Sequence, residues 1–272
     1  GQIEEINLSS LVIRYLPLFL WEVLLIPSVL IRMNKDLRNL LPKNVSEAPP
    51  VPVNPEGIAN SNGVAYFRTD HWFGYNKTGG SVTHISGVAN GFARLGYALF
   101  FLSTDKLGFI DESKMPIYHI RPTPIMRDFQ ELPELEYNRQ LITQGREILL
   151  KERPTLIYQR YSLNNYAGAY LSKELNIPFV LEYNGSFLWI ERHWGKGLSF
   201  PWLTRKIELA NLHAADLIIV VAKPMKDELE KRGIPVEKIL INPNGVNPDR
   251  FRPGIDGSHI RRRYGIDENI VV

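Results

Sequence analysis

Lys77-Thr-Gly-Gly-Ser-Val-Thr-His-Ile-Ser-Gly-Val-Ala-Asn-Gly-Phe-Ala-Arg-Leu-Gly-Tyr97 decides how the chain is read. Val82, Ile85, Val88/Ala89, Phe92 and Leu95 recur at steps of three and four, which predicts a helix with one apolar face. Ser81 is the expected N-cap, and His84 falls in or beside the first turn. Upstream, Gly63–Thr69 reads as a strand. Downstream, Tyr97-Ala-Leu-Phe-Phe-Leu-Ser103 is an apolar run of the kind that forms a buried parallel strand. Strand, glycine loop, helix and strand make one βαβ unit, and free N–H groups at such a helix start attract anions. Gly87, Gly91 and Gly96 lack GxGxxG spacing, and Lys77-Thr78 lacks the preceding glycines of a Walker A loop. The pair Gly79-Gly80 therefore reads equally as a phosphate cradle or an ordinary turn.

Working outward, apolar runs alternate with helical stretches in the way that builds a parallel sheet. Strands are expected at 63–69, 97–103, 115–120, 155–161, 179–183, 216–221 and 238–241. Helices are expected near 81–95, 133–152, 164–175, 199–214 and 224–231. The fold class is α/β, a doubly wound Rossmann-like sheet, whose ligands bind at the carboxyl ends of the strands. Those ends carry Lys77 with Gly79, Gly80 and Ser81, then Arg160 and Tyr161, then Glu182, Asn184 and Gly185. Arg160 and Lys77 suit phosphate, while Glu182, Asn184 and His84 suit sugar hydroxyls. Each also has a plain structural role open to it, as an ion-pair partner, a cap or a turn.

Composition narrows the function classes. The 272 residues are 44% apolar and 22% charged, with a net charge of +3 and no basic run longer than Arg261–Arg263, which argues against nucleic-acid binding. The chain has no cysteine, and its six histidines show no ligand spacing, so no metal is expected. Residues 8–33 are strongly apolar but hold Pro17, Glu22 and Pro27, whereas a spanning helix needs ~20 predominantly apolar residues. With Arg32, Lys35, Arg38 and Lys43 following, the segment reads as an interfacial membrane anchor, or else as a helix pair packed on the globular domain or on a part upstream of this sequence. The division expected is an apolar helical extension at 1–41, a Pro-rich linker at 42–62, a Rossmann-like domain at 63–242, and a hinge opening a further domain at 243–272. A first residue other than Met and a last segment that opens like a strand suggest a fragment.

Gly79-Gly-Ser-Val-Thr-His84, Ala214-Ala-Asp-Leu-Ile-Ile-Val-Val-Ala222 and Asn242-Pro-Asn-Gly-Val-Asn-Pro-Asp-Arg-Phe-Arg-Pro253 together resemble family 4 glycosyltransferases of GT-B fold. The resemblance implies a retaining transfer of sugar from a nucleotide-diphosphate-sugar, without a cofactor or bound metal, to a glycan, lipid-linked or small-molecule acceptor. It implies that this chain forms the acceptor half of the cleft, with Asn244 and Gly245 in the hinge. The donor half and its paired glutamates would lie beyond residue 272, and the spacing of Glu174 and Glu182 is a chance match to that pair. Many relatives carry a histidine near the end of the fourth strand. Arg160 stands there here, so His84, Glu182 or Asn184 is expected to take its role, unless the alignment shifts by one residue. His84, Arg160 and Glu182 are the candidate catalytic residues. A cytoplasmic location, at the inner face of the membrane if residues 8–33 anchor it, follows from the same reading. Sugar-nucleotide epimerases, phosphorylases and a non-catalytic membrane-docked binding module are the alternatives on this fold.

Overall fold

The computed structural model describes residues 8–41, 62–70, 79–108, 110–246, 248 and 251–266. The chain divides into two compact units, Gly1–Asn242 and Pro243–Val272. In the first unit, strands and helices follow in the order α1 (Leu8–Leu40), β1 (Gly63–Arg68), α2 (Gly80–Arg94), β2 (Ala98–Ser103), β3 (Ile117–His119), α3 (Leu132–Glu152) and β4 (Leu156–Arg160). It continues with α4 (Ala167–Leu175), β5 (Phe179–Glu182), α5 (Phe187–His193), α6 (Pro201–Ala214), β6 (Leu217–Val220), α7 (Lys223–Lys231) and β7 (Ile239–Ile241). The second unit holds α8 (Ser258–Tyr264), and its Asn244 and Gly245 are exposed.

The strands form one sheet in the order β3-β2-β1-β4-β5-β6-β7, with every pairing parallel. The chain winds outward from β1 to β3, then crosses back to β4 and winds the other way. The order therefore reverses between β1 and β4, where an open α/β sheet offers its binding crevice. Alternation along the central strands separates two cores. Ala65 and Phe67 of β1 join Leu102, Ile157 and Leu181 under α1, α3, α4 and α6. Val64 and Tyr66 join Leu99, Phe101 and Tyr158 under Ile85 and Ala89 of α2. Burial on both faces explains why the strands read as apolar runs rather than as alternating patterns.

Three local expectations are corrected. Ser81 does not cap α2; Gly79 does, at φ 128°, with no side-chain cap bond. Thr83 Oγ1 instead donates back to the Gly79 carbonyl. Leu95 is 75% exposed at the helix end rather than on the apolar face. The apolar segment is one continuous helix across Pro17 and Pro27, not a helix pair.

The two halves of α1 behave differently. Val29, Met33, Leu37 and Leu40 repeat at helical spacing and are buried in the main core. Polar contacts fix that half: Arg32 pairs with Glu136, Tyr166 donates to Asp36 at 3.0 Å, and Lys206 donates to Asn34 at 2.6 Å. The preceding half, from Tyr15 to Leu24, leaves most of its apolar side chains in solvent.

Candidate active site

The strand register builds the site. Arg160 and Glu182 are the last residues of β4 and β5 and lie opposite one another. Tyr66 of β1 pairs with Tyr158 of β4, two residues before Arg160 and so on the same sheet face. Glu182 is 1% exposed, and its partners converge on it from β1, α2, β4 and the loop after β5. Oε1 accepts from Arg160 Nη1 at 2.5 Å and from Asn184 Nδ2 at 2.5 Å. His84 Nε2, from α2, lies 3.0 Å from the same oxygen, an electrostatic contact without good N–H alignment. Oε2 accepts from Tyr158 at 2.8 Å and more weakly from Tyr66 at 3.5 Å.

This environment fixes the charges. Burial acts to raise Glu182, but His84, Arg160 and Asn184 together outweigh it and hold its pKa at about 2, below the ordinary 4.5. Burial, followed by the negative Glu182, pushes both tyrosine hydroxyls well above their usual range, so they stay protonated and donate. A fixed anion thus anchors a guanidinium and an imidazole, which remain 20% and 19% exposed. Glu182 itself is enclosed. It can orient His84 and Arg160 but has almost no surface with which to touch a substrate.

The start of α2 supplies a second feature at the same strand edge. Its first helical bond runs from Thr83 N–H to the Gly79 carbonyl, which leaves the N–H groups of Gly80, Ser81 and Val82 ahead of it. Gly79 at φ 128° takes a backbone that a side chain would strain, and a Cβ at Gly80 would meet none of the described residues within 4 Å. The end of β1 presents Arg68, 3% exposed, with Asp70 at 3.5 Å and Asp105 at 3.6 Å. Burial raises the Asp70 carboxyl, against the pull of Arg68 and Arg160.

A set of buried asparagines, unremarked in the sequence, holds the β4–α4 loop in place. Asn138 donates to the Asn164 carbonyl and accepts from Tyr166 N–H. Asn211 donates to the Asn165 carbonyl, and Asn165 donates to Thr69 Oγ1 at 2.7 Å. Side-chain amides suit this task because each offers donor and acceptor together to loop backbone that lacks ladder partners. They tie the ends of β1 and β4 into one rigid edge.

The remaining candidates separate as follows. Tyr161 is buried at 4%, with its ring 5.7 Å from Tyr183 and 5.5 Å from Phe187, so it packs beneath the site. Gly185 has φ 136° and turns the chain from Asn184 into α5. Glu174 sits on α4 in a bidentate pair with Arg146, on a separate element from Glu182. Lys77 lies outside the described residues. The Tyr158 contribution was readable from its position two residues before Arg160, whereas Tyr66 required the strand register. Among the described residues no group of three or more metal-ligating side chains converges.

The doubly wound parallel sheet, with a helix N-terminus and a buried ion cluster at its switch point, has the fold of the N-terminal domain of GT-B proteins. The family model described as Glycosyltransferase Family 4 matches residues 78–250, well over half of the chain, and the protein belongs to that family. Among solved structures, a sucrose-phosphate synthase from Thermosynechococcus elongatus is similar at TM-score 0.56 and 15% identity, over 76% of this chain and 53% of that one. A glycosyltransferase from Rickettsia africae matches at TM-score 0.51 and 17% identity, over 78% and 52%. A UDP-N-acetylglucosamine 2-epimerase from Rickettsia bellii matches at TM-score 0.51 and 17% identity, over 75% and 51%. The chain therefore spans about half the length of these structures, and at such identities the likeness is one of fold. No curated protein sequence matches the chain.

Proposed function

We propose that this chain forms the acceptor-side half of the cleft of a retaining glycosyltransferase. The enzyme would move a hexose-type sugar from a nucleotide-diphosphate-sugar to an acceptor hydroxyl. The observation that carries the reading is the convergence of the α2 N-terminus with the Glu182-anchored His84 and Arg160 at the switch point. In this reaction the bond from the anomeric carbon to the leaving phosphate oxygen breaks, and negative charge develops on the diphosphate. N–H groups of Gly80, Ser81 and Val82 and the fixed Arg160 guanidinium suit that charge, because a preorganised dipole or cation needs no reorientation as charge appears. The acceptor oxygen bonds to the same face of the sugar and gives up its proton, with the departing diphosphate as its final recipient. In this reading His84, held by Glu182, would contact the reacting sugar. No cofactor or metal is invoked, and a hinge at Asn244 and Gly245 would join this half to a donor domain.

Family membership and the cleft chemistry support this reading, and the absence of cysteine accords with work in the cytoplasm. The test uses the full-length protein with a panel of nucleotide sugars and with glycan and amphiphilic acceptors. Nucleoside diphosphate should be released only when an acceptor is present, and NMR of the product should show the anomeric configuration of the donor. Release without acceptor, accompanied by a sugar inverted at C2, would replace the transferase reading with an epimerase one.

A further inference from the structure

We infer that the first half of α1 inserts into an anionic phospholipid bilayer, with the aromatic loop between α5 and α6 resting at the headgroups beside it. The inference begins with the distribution of exposed apolar groups around the helix. Tyr15, Leu16, Leu18, Phe19, Leu20, Trp21, Val23 and Leu24 are each between 37% and 77% exposed. At 3.6 residues per turn these positions leave no sector of the circumference wider than about 60° without an exposed apolar side chain. A groove on a protein, or a second copy of the chain, covers one face of a helix. A helix that is apolar all round needs surroundings on every side, and lipid provides them. Glu22, the one charge between Tyr15 and Ile31, is partly buried and shares the helix face of Leu25, Ile26 and Val29, which packs on the protein.

The other half of the same helix shows that this segment is part of the fold. Val29, Met33, Leu37 and Leu40 are 5% exposed or less in the main core, so α1 cannot leave without opening it. Among the described residues α1 is the one helix with the length and composition to cross a membrane. Its largely exposed part, Tyr15–Leu24, is about 15 Å long at 1.5 Å per residue. That matches one leaflet of a hydrocarbon core about 30 Å thick.

A second surface continues from it. Phe19 stacks on Phe129 at 5.4 Å, and the next two residues reach the α5–α6 loop. Gln130 accepts from Ser199 at 2.7 Å, and Glu131 accepts from the Phe200 N–H at 2.8 Å. That loop and its flanks expose Trp189, Trp194, Phe200 and Trp202, with Trp194 at 77% and Trp202 at 58%. Arg192, Lys196 and Arg205 are exposed among them, and Arg127 lies beside Phe129, against the acidic Asp128 and Glu191. Amphipathic aromatic rings with a basic excess suit the headgroup region of an anionic leaflet. Since α5 begins five residues after Glu182, the surface leads directly from the cleft. Under the transferase reading, the acceptor would then be an amphiphile held in the same bilayer. The docking itself does not depend on that reading.

The test is flotation of the full chain with vesicles of phosphatidylcholine containing a minority of phosphatidylglycerol, at low and high salt. The wild-type protein should float at both, because apolar insertion resists screening. L20E/L24E should bind about tenfold or more weakly, since carboxylates in hydrocarbon are costly. W194A/W202A should bind roughly severalfold more weakly. Both variants change exposed positions, and equal thermal midpoints would show that they fold. Failure of the wild type to float, release by high salt, flotation of L20E/L24E like the wild type, or a stable dimer that ignores vesicles would each overturn the inference. Binding is read without any sugar donor, so failure of the transferase reading leaves this outcome unchanged.

Discussion

Replacing Glu182 with glutamine removes one charge and almost no volume at the centre of the cluster. The wild-type carboxyl has a folded pKa of about 2 against 4.5 for the free group. A shift of that size corresponds to about 3 kcal/mol of stability at neutral pH, at 1.36 kcal/mol per pKa unit. The folded pKa is depressed, so this stability is fully present above pH 4.5 and is lost as pH falls towards 2. At pH ~3 the remaining difference should be about 1 kcal/mol. Breaking a buried pair by removing one partner costs ~3–5 kcal/mol, a consistent range, because Arg160 would be left without its counter-ion. Urea unfolding of wild type and Glu182→Gln at neutral pH and near pH ~3 measures both values. A difference that does not shrink with acid, or that is below ~0.5 kcal/mol at neutral pH, would refute the role of the carboxylate as a charged anchor.

The other predictions concern separate parts of the molecule. Gly80→Val should lower turnover of the full-length enzyme roughly tenfold or more by crowding the α2 N–H groups. It should leave the thermal midpoint nearly unchanged, because a Cβ there meets no described residue within 4 Å. Gly168→Ala should destabilise by about 1–3 kcal/mol in chemical denaturation. Its Cβ would fall 2.0 Å from Gln159 Oε1 and 3.3 Å from Phe179, and Gln159 is fully buried. Met33→Ala should cost ~2–5 kcal/mol, whereas Leu24→Ala should stay within about 0.5 kcal/mol in the absence of lipid. Equal costs at the two positions would contradict the division of α1 into a core half and an exposed half.

The sheet was largely legible because its strands are buried on both faces and stand out as short apolar runs between helix breakers. The edge strand β3 was the least so: only Ile117–His119 pair with β2, although the apolar run extends from Met115 to Ile120. Local rules failed where tertiary packing decided. Proline signalled breaks in α1, yet packing of its second half on α3, α4 and α6 accompanies an unbroken helix. Seven residues of α5, rich in aromatics and without a clear period, gave no helical signal. At the site, strand ends pointed to Arg160 and Glu182, but not to their contact, which depends on register. His84 reaches Glu182 from another element, a distance of 98 positions in the chain that no local pattern encodes. The asparagine network was invisible for the same reason, since its members answer carbonyls and amides of remote loops.

Steady-state kinetics of His84→Ala in the full-length enzyme test the central claim most directly. If the Glu182-anchored cluster is where sugar is transferred, kcat should fall about 100-fold or more while the thermal midpoint and donor KM change little. Turnover within about twofold of the wild type would contradict the account.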